Sequence, residues 1–277
     1  MYNYRSYLRY PGFKLKAFTM SYDDGVFEDE RFLKTVSKYG IKPTLNLVYK
    51  NMFSRQLSLE KQYEIYNSYD CEVATHTYSH LPLSELSEAS AINEVLTCRD
   101  EYEKLFKRII RGFAYPFGRY DQKTKEVLKK CGIVYARTID DTNDICFTLP
   151  TDWLEFNPTC RHFSPKLMEL TDKFLEEIDT TKFYNTYPRL FFVWGHTYEF
   201  DDYNNWELLE DFAKKIGNKE DIWYATNIEL YEYVTAYDNL RFAVDNSFVY
   251  NPTDKDVYIC FNKKNYLIEK GKKIDLV

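Results

Sequence analysis

Several features that define other classes of protein are missing from this 277-residue sequence. No apolar run is long enough to cross a bilayer, and the opening stretch, MYNYRSYLRYPGF, lacks the apolar core of a signal peptide. As the sequence stands we expect a cytoplasmic protein, or an extracellular one if a leader was removed. The formal net charge is −6 without a long basic run, which argues against nucleic acid and anionic membranes as partners.

Paired cysteines and linker segments are also missing. The six cysteines are scattered without a CxxC pair, which resembles neither a zinc ribbon nor a secreted disulfide framework, so we expect free thiols. No internal repeat, low-complexity tract or Pro/Gly/Ser-rich linker occurs before about residue 238. Residues 1–237 are therefore predicted to form one large domain.

What is present is an alternation of short apolar runs with longer helical patterns. Strands are predicted at residues 16–22, 44–49, 71–75, 112–115, 133–137 and 190–194, and helices at 29–39, 59–68, 87–107, 122–130 and 166–178. Segments 206–215, 223–226 and 228–234 complete the series. Such alternation indicates parallel strands joined by helical crossovers. We predict an α/β fold, a deformed TIM-like (β/α) barrel with six to eight parallel strands.

The pattern changes after Asp238 to short strands at residues 240–244, 248–251, 257–261 and 266–268. We therefore predict a small C-terminal antiparallel β extension, residues 238–277, packed on the barrel. So short a segment is not expected to fold alone.

Two adjacent carboxylates in SYDDG, residues 21–25, end the first predicted barrel strand. In such barrels the active site gathers at the C-terminal strand ends. Consecutive strand residues face opposite sides, so Asp23 and Asp24 serve one site only if the chain bends, which Gly25 permits. Two neighbouring carboxylates repel each other unless a cation or a proton lies between them. The alternative is that the pair caps the following helix.

Two of only four histidines lie in THTYSH, where the third predicted strand ends. His76 and His80 are four residues apart, so one helical turn would put both imidazoles on one face. Imidazole is the commonest ligand of divalent metals, and one carboxylate with two imidazoles matches a catalytic zinc site. Asp24, His76 and His80 are therefore candidate metal ligands, with a chance pair on a surface loop as the alternative.

The other two histidines are weaker signals. His196 follows the apolar run LFFVWG at another strand end, where a lone histidine is often structural. Beside a metal it becomes a candidate general acid, because an imidazole pKa lies near neutrality. His162, in PTCRH, is open between a substrate contact, support of the site and an ordinary loop residue.

The order SYDDG, HTYSH, FAYPFG and WGH resembles the polysaccharide deacetylases of the NodB-homology class, carbohydrate esterase family four. The matches span residues 18–196, and the first two motifs together are specific. The resemblance implies that the three candidate ligands hold a divalent metal, zinc foremost, with cobalt, nickel or manganese as alternatives. It also implies that Asp23 is the general base, that His196 protonates the departing amine, and that the backbone N–H of Phe117 helps stabilise the oxyanion.

The third motif departs from the family pattern. The family arginine that supports the base aspartate is Ala114 here. Arg137, at the next strand end, is the first candidate replacement and Arg161 the second. The fourth family motif has no clear counterpart, and Asp144 and the Asp152–Trp153 pair are weak candidates.

The activity implied by this resemblance is hydrolytic removal of acetyl groups from the N-acetylated sugars of a poly- or oligosaccharide. Tyr115, Trp194 and Trp153 are candidates to stack on sugar faces, or they pack the core, and His162 is a further candidate substrate contact. Two alternatives remain open. One is an acetyl-ester or cyclic-amide hydrolase on the same scaffold, and the other is a catalytically impaired carbohydrate-binding protein.

Overall fold

Eight parallel strands form the central sheet of the computed structural model, which describes residues 5–50, 54–180 and 187–276. After a two-residue strand β1 (Leu8–Arg9), these strands are β2 (Lys16–Asp24), β3 (Pro43–Leu47), β4 (Glu72–Thr75), β5 (Gly112–Ala114), β6 (Tyr135–Arg137), β7 (Cys160–Arg161), β8 (Arg189–His196) and β9 (Ile222–Tyr224). Their order is β6-β5-β4-β3-β2-β8-β7, with β9 also pairing with β2. The prediction of parallel strands is confirmed.

Helices follow most of the strands. They are α1 (Asp29–Ser37), α2 (Leu59–Ser68), α3 (Glu88–Phe106), α4 (Gln122–Lys130), α5 (Leu167–Leu175), α6 (Glu199–Asp202), α7 (Trp206–Ile216) and α8 (Asn227–Asp238). Several begin where the side chain of the preceding residue accepts a backbone hydrogen bond, as at Ser58, Ser87 and Asp121, and Thr226 with Glu229 forms a capping box. Among the residues described, none of the helices has the length and apolar character needed to cross a bilayer.

The sheet curves into the predicted deformed TIM-like barrel. Next to β6, at one end of the strand order, an isolated parallel bridge joins Arg137 to Phe156, which lies before β7 in the chain. All nine residues of β2 are buried, as expected for a central parallel strand enclosed by neighbouring strands and helices. The sequence analysis did not predict β7, because two residues are too few to show a period.

The C-terminal residues form two small antiparallel sheets, which confirms the predicted character of this extension. Its strands are β10 (Arg241–Phe242), β11 (Phe248–Tyr250), β12 (Val257–Phe261), β13 (Lys264–Ile268) and β14 (Lys273–Asp275). One sheet has the order β10-β11-β14, and the other β1-β12-β13. The extension thus pairs with the N-terminal β1, which the sequence analysis did not predict.

One hydrophobic cluster joins the extension to the barrel. Val257 and Ile259 of β12 belong to the same cluster as Leu190 and Phe192 of β8 and Leu230 of α8. The boundary at residue 238 therefore stays a prediction about chain organisation, since apolar contacts cross it.

Candidate metal centre and active site

The two aspartates end β2 at a sharp change of backbone direction. Asp23 and Asp24 are both buried, and Asp24 has a positive φ of 85°, followed by Gly25 at 76°. The bend expected at the glycine thus begins one residue earlier, and it turns both carboxylates towards the same end of the barrel. Neither aspartate caps the next helix, because the residue at the N-cap of α1 is Glu28.

The two histidines that are candidate metal ligands meet through a loop rather than the helical turn that their spacing suggested. After β4, Thr77 and His80 have positive φ values of 67° and 56°, which no regular helix contains. Glu94 of α3 fixes this loop: its carboxylate accepts hydrogen bonds from the backbone N–H of Ser79 at 2.8 Å and from the Ser79 hydroxyl at 2.7 Å. The loop therefore depends on a residue that the sequence analysis missed.

Asp24, His76 and His80 form a compact group whose ligand atoms all lie within 4.8 Å of one another. The Nε2 atoms of the two histidines are 3.2 Å apart, and Asp24 Oδ1 lies 3.9 Å from His76 Nε2 and 3.7 Å from His80 Nε2. Two nitrogens at about 2.0–2.1 Å from a tetrahedral zinc ion are separated by about 3.3 Å. The histidine spacing fits that value, and the carboxylate needs only a small adjustment.

The polar contacts around this group also fit a cation. Among the residues that the structure describes, the buried Asp24 Oδ1 has no hydrogen-bond partner. His76 Nδ1 lies 2.8 Å from the Ala114 carbonyl oxygen, so it donates to that oxygen and leaves Nε2 free to ligate. A buried acceptor without a donor, facing two imidazole nitrogens, is the arrangement that a divalent ion satisfies.

The pKa values of these three residues also favour a bound cation. Burial lowers the pKa of His76 to about 4, and burial together with the neighbouring His76 does the same to His80, so both rings are neutral at pH 7. Burial and the negative charge of Asp23 raise the pKa of Asp24 to about 8. A cation would offset the cost of ionising Asp24, because its positive charge compensates the negative charge of this second carboxylate.

Asp23 is held in its ionised form by two partners. The guanidinium of Arg137, which is fully buried, pairs with both carboxylate oxygens, and Asn46 donates to Oδ1 at 2.8 Å. Burial alone would raise the pKa of Asp23, but the charge of Arg137, with smaller contributions from His76 and His196, lowers it to about 2. The structure thus brings Arg137, rather than Arg161, to Asp23, the candidate general base.

The sheet register explains how an arginine at position 137 reaches this place. Ala114 and Arg137 are register partners in the neighbouring strands β5 and β6. A long side chain on β6 therefore extends into the space beside the one that an arginine at 114 would use. Asn46 was missed, although a polar residue within the buried strand PTLNL is itself a signal.

His196 ends β8 in register with Asp23. Its Nε2 lies 3.9 Å from Asp23 Oδ2, and its Nδ1 lies 3.4 Å from Oε1 of Glu199. Burial lowers the pKa of His196 to about 4, against the opposing charge of Asp23. The expectation of a pKa near neutrality was therefore wrong, because it ignored the loss of solvent around the ring.

The side chains predicted to contact a sugar are in the interior. Tyr115 is 1% exposed and donates its hydroxyl to the Leu154 carbonyl at 2.9 Å. Trp194 is 6% exposed, and the guanidinium carbons of Arg137 and Arg161 lie 4.8 and 5.3 Å from the centroid of its ring. His162 is 2% exposed. These expectations are corrected: packing of the barrel wall covers all three rings.

Of the remaining candidate residues, Phe117 lies beside the Asp24–His76–His80 group, and the others have partners elsewhere. Phe117 has a positive φ of 58°, and its exposed ring packs on His80 with centroids 4.7 Å apart, so its peptide is next to the ligands. Asp152 pairs with Lys125, and Asp144 accepts hydrogen bonds within its own loop, so neither replaces the missing fourth motif in the structure. Trp153 packs against Phe156 and Tyr231 in the core.

Fold and site together define an α/β-barrel protein with an Asp–His–His group suited to a metal ion at the C-terminal strand ends. The family model for polysaccharide deacetylase matches residues 12–136, a range that contains all three candidate ligand residues. This match covers less than half of the chain, and with the four motifs in their family order it shows similarity to the polysaccharide deacetylase family. The resemblance stated from the sequence is confirmed.

Individual relatives agree with this placement. The protein YxkH of Bacillus subtilis (strain 168), whose name describes it as a polysaccharide deacetylase, is 24% identical over 118 residues, which are 42% of this chain and 42% of that protein. The chain thus matches less than half the length of this curated relative.

Two solved structures share the fold. One is described as a polysaccharide deacetylase from Mycobacterium smegmatis: it is 13% identical, with a TM-score of 0.60 over 84% of this chain and 94% of that one. The other is a family 4 carbohydrate esterase from Streptomyces lividans in complex with acetate: it is 12% identical, with a TM-score of 0.51 over 76% and 93% of the two chains.

Proposed function

We propose that the protein is a metal-dependent hydrolase that removes acetyl groups from the N-acetylated sugars of a poly- or oligosaccharide. The observation that carries the proposal is the buried Asp24 Oδ1, which has no donor among the described residues and faces the Nε2 atoms of His76 and His80. Leaving a buried carboxylate oxygen unpaired is costly unless a ligand completes the site.

These three residues would hold the ion, with zinc the first candidate because two imidazoles and a carboxylate leave further positions open. When bound, a divalent cation polarises the acetyl carbonyl and makes a water molecule more acidic. Asp23 is next to the group and ionised, so it accepts a proton from the attacking water. Arg137 and Asn46 fix the orientation of that carboxylate.

His196 completes the proton transfer. At neutral pH the free site holds two proton acceptors, Asp23 and the neutral His196. The proton that the departing amine gains when the C–N bond breaks is therefore one taken from the attacking water. We assign its delivery to His196, whose Nε2 lies 3.9 Å from Asp23 Oδ2. We assign the backbone N–H of Phe117 to the developing oxyanion.

Catalysis is favoured over sugar binding alone by the pairing of Arg137 with Asp23. A protein that had lost its activity would have no need for a buried guanidinium that keeps the base aspartate ionised. The family name of the Bacillus subtilis relative and the acetate in the Streptomyces lividans esterase are consistent with acetyl hydrolysis.

The test measures metal and acetate together. The purified protein and an Asp24→Ala variant are loaded with zinc, dialysed and analysed for metal. Acetate release is then measured on acetylated chitooligosaccharide and on acetylated xylan. We expect about one zinc per wild-type chain, little in the variant, and acetate from the chitooligosaccharide that disappears on chelation and returns with zinc.

Each alternative has its own outcome. Acetate released mainly from acetylated xylan indicates an ester hydrolase. Chitooligosaccharide binding that survives chelation, without acetate, indicates a carbohydrate-binding protein. Equal, negligible metal in wild type and variant would remove the basis of the whole proposal.

A further inference from the structure

One buried histidine has no role in the reaction described so far. The ring of His162 stacks on Tyr22, with centroids 5.4 Å apart and 2° between the planes, and lies 4.4 Å from the ring of Phe200. It is enclosed, so a substrate cannot touch it. Burial also lowers its pKa well below the usual value, so the ring is neutral and carries a single N–H.

The polar group next to this ring is the buried carboxylate of Glu199, the first residue of α6. Its Oε2 lies 3.3 Å from His162 Nε2 and accepts a hydrogen bond from the backbone N–H of His196 at 3.3 Å. Its Oε1 pairs with the guanidinium of Arg161 and lies 3.4 Å from His196 Nδ1. The carboxylate therefore has polar neighbours on both oxygens and little access to water.

His162 is itself fixed to the strand that carries His196. Its backbone N–H donates to the Trp194 carbonyl at 2.9 Å. A Cβ on Gly195 would overlap the His162 ring, so the imidazole fits only because position 195 is glycine. The residue pair just before His196 thus determines where the buried ring lies, and that ring presents Nε2 to Glu199.

We propose that Glu199 is a positioning residue for His196, and that His162 and Arg161 hold Glu199 in place. The inference rests on the proposed function, in which His196 transfers a proton. A carboxylate beside Nδ1 selects the tautomer with its proton on Nδ1, leaves Nε2 facing Asp23, and stabilises the imidazolium that forms when Nε2 gains a proton.

Both imidazole contacts with Glu199 are close but not aligned as hydrogen bonds in this structure, since His162 Nε2 and His196 Nδ1 have no such bond among the described residues. Contacts of this kind tighten when substrate orders a site. The positioning residue was not predicted from the sequence, although a carboxylate three residues after a candidate catalytic histidine is a signal that could have identified it.

The kinetic test compares zinc-loaded wild type with Glu199→Gln, which keeps the shape and removes the charge, and with His162→Phe. Glu207→Gln, exposed on α7, is the matched control. We expect kcat on acetylated chitooligosaccharide to fall about 10- to 100-fold in Glu199→Gln and less in His162→Phe, as for residues that orient an active group. KM and zinc content should match the wild type in both, and the control should match it in everything.

The second readout does not need activity. With four histidines in the sequence, ¹⁵N NMR of the zinc-loaded protein can follow each ring. We expect His196 as the Nδ1–H tautomer in wild type and a shift away from it in Glu199→Gln. An unchanged kcat in Glu199→Gln, or His196 as the Nε2–H tautomer in wild type, would overturn the inference. If the wild type releases no acetate but the tautomer shifts, the proposed function fails while the positioning role stands. If Glu199→Gln does not fold, His162→Phe is read by the same two criteria.

Discussion

Two buried aspartates, five residues apart, have opposite surroundings. Asp29, in α1, accepts hydrogen bonds from the hydroxyls of Tyr66 and Thr197 and from the backbone N–H of Val26. Asp24, at the end of β2, has an oxygen without a donor among the described residues. Burial raises the pKa of both, to about 7 for Asp29 and about 8 for Asp24.

The difference shows which of the two buried carboxyl groups stabilises the fold. Asp29 joins α1, α2 and the loop after β8, and each of its partners would be left unpaired without it. Oδ1 of Asp24 has no such partner among the described residues, so burying this group destabilises the metal-free protein without a compensating hydrogen bond there. A buried carboxylate with its donors is structural, and one without them indicates a ligand.

The largest expected effect is loss of the metal from Asp24→Asn. Removing the only carboxylate of the ligand group should weaken zinc binding at least about 1,000-fold and abolish acetate release. The measurements are zinc titration and acetate assay, with Glu207→Gln as control. Zinc affinity equal to wild type would mean that another group binds the ion.

The same variant makes a prediction about metal-free stability. Between the unfolded pKa near 3.9 and the folded value of about 8, the folded state keeps a proton on Asp24 that the unfolded state has lost. Wild-type stability therefore falls, relative to Asp24→Asn, as pH rises from about 4 through 8. Urea unfolding of chelated protein at pH 5, 7 and 9 checks the sign, and parallel curves would contradict it.

The next prediction concerns Asp29, whose carboxylate has its hydrogen-bond donors. Asp29→Ala leaves two hydroxyls and a backbone N–H unpaired in the interior, which should lower the free energy of unfolding by about 3 kcal/mol. Urea unfolding of the metal-free protein measures it. Because burial also raises the pKa of Asp29, to about 7, its ionisation costs stability above that pH, so the loss is measured at pH 5. A gain in stability for Asp29→Ala at pH 5 would break the comparison.

A further prediction tests Arg137, the candidate replacement for the family arginine. Arg137→Ala should lower kcat about 100-fold, because Asp23 loses the charge that orients and ionises it. Burial then acts without opposition from Arg137, so the pKa of Asp23 rises from about 2 and the acid limb of kcat/KM moves to higher pH. A pH–rate profile measures this, with the exposed Arg241→Ala as control. An unmoved acid limb would assign the base role elsewhere.

The smallest effect is expected from the loop that carries the ligand histidines. Glu94→Ala removes both hydrogen bonds to Ser79, so the positive-φ loop is less well held and zinc affinity should fall about tenfold. Competitive zinc titration measures it. Because Glu94 touches no reacting group, kcat at saturating zinc should stay close to wild type, and a large loss of kcat would contradict a purely supporting role.

Much of the fold was predictable because its signals are local. The helices at 59–68 and 122–130 were predicted at their observed bounds, since an N-cap serine or aspartate precedes an amphipathic pattern in each. The short strands β1 and β7 were missed, because two residues carry no period and their pairing is decided by distant neighbours.

The candidate site also has a part that the sequence predicted and a part that it did not. Motif order and residue type were enough to select Asp23, Asp24, His76, His80 and His196 as candidates. The burial of Tyr115, Trp194 and His162 could not be read from the sequence, because an aromatic ring at a strand end suits a core as well as a sugar face. The expected pKa of His196 was wrong for the same reason, since burial depends on everything packed around the ring.

By itself the sequence determined the parallel α/β barrel and the resemblance to the deacetylase family, because hydrophobic periodicity and short motifs are properties of contiguous residues. Tertiary structure alone decided that Arg137 lies on Asp23, that Glu94 holds the histidine loop, and that Glu199 lies between two imidazoles. Those contacts join residues far apart in the chain or depend on sheet register and left-handed backbone, which no local pattern encodes.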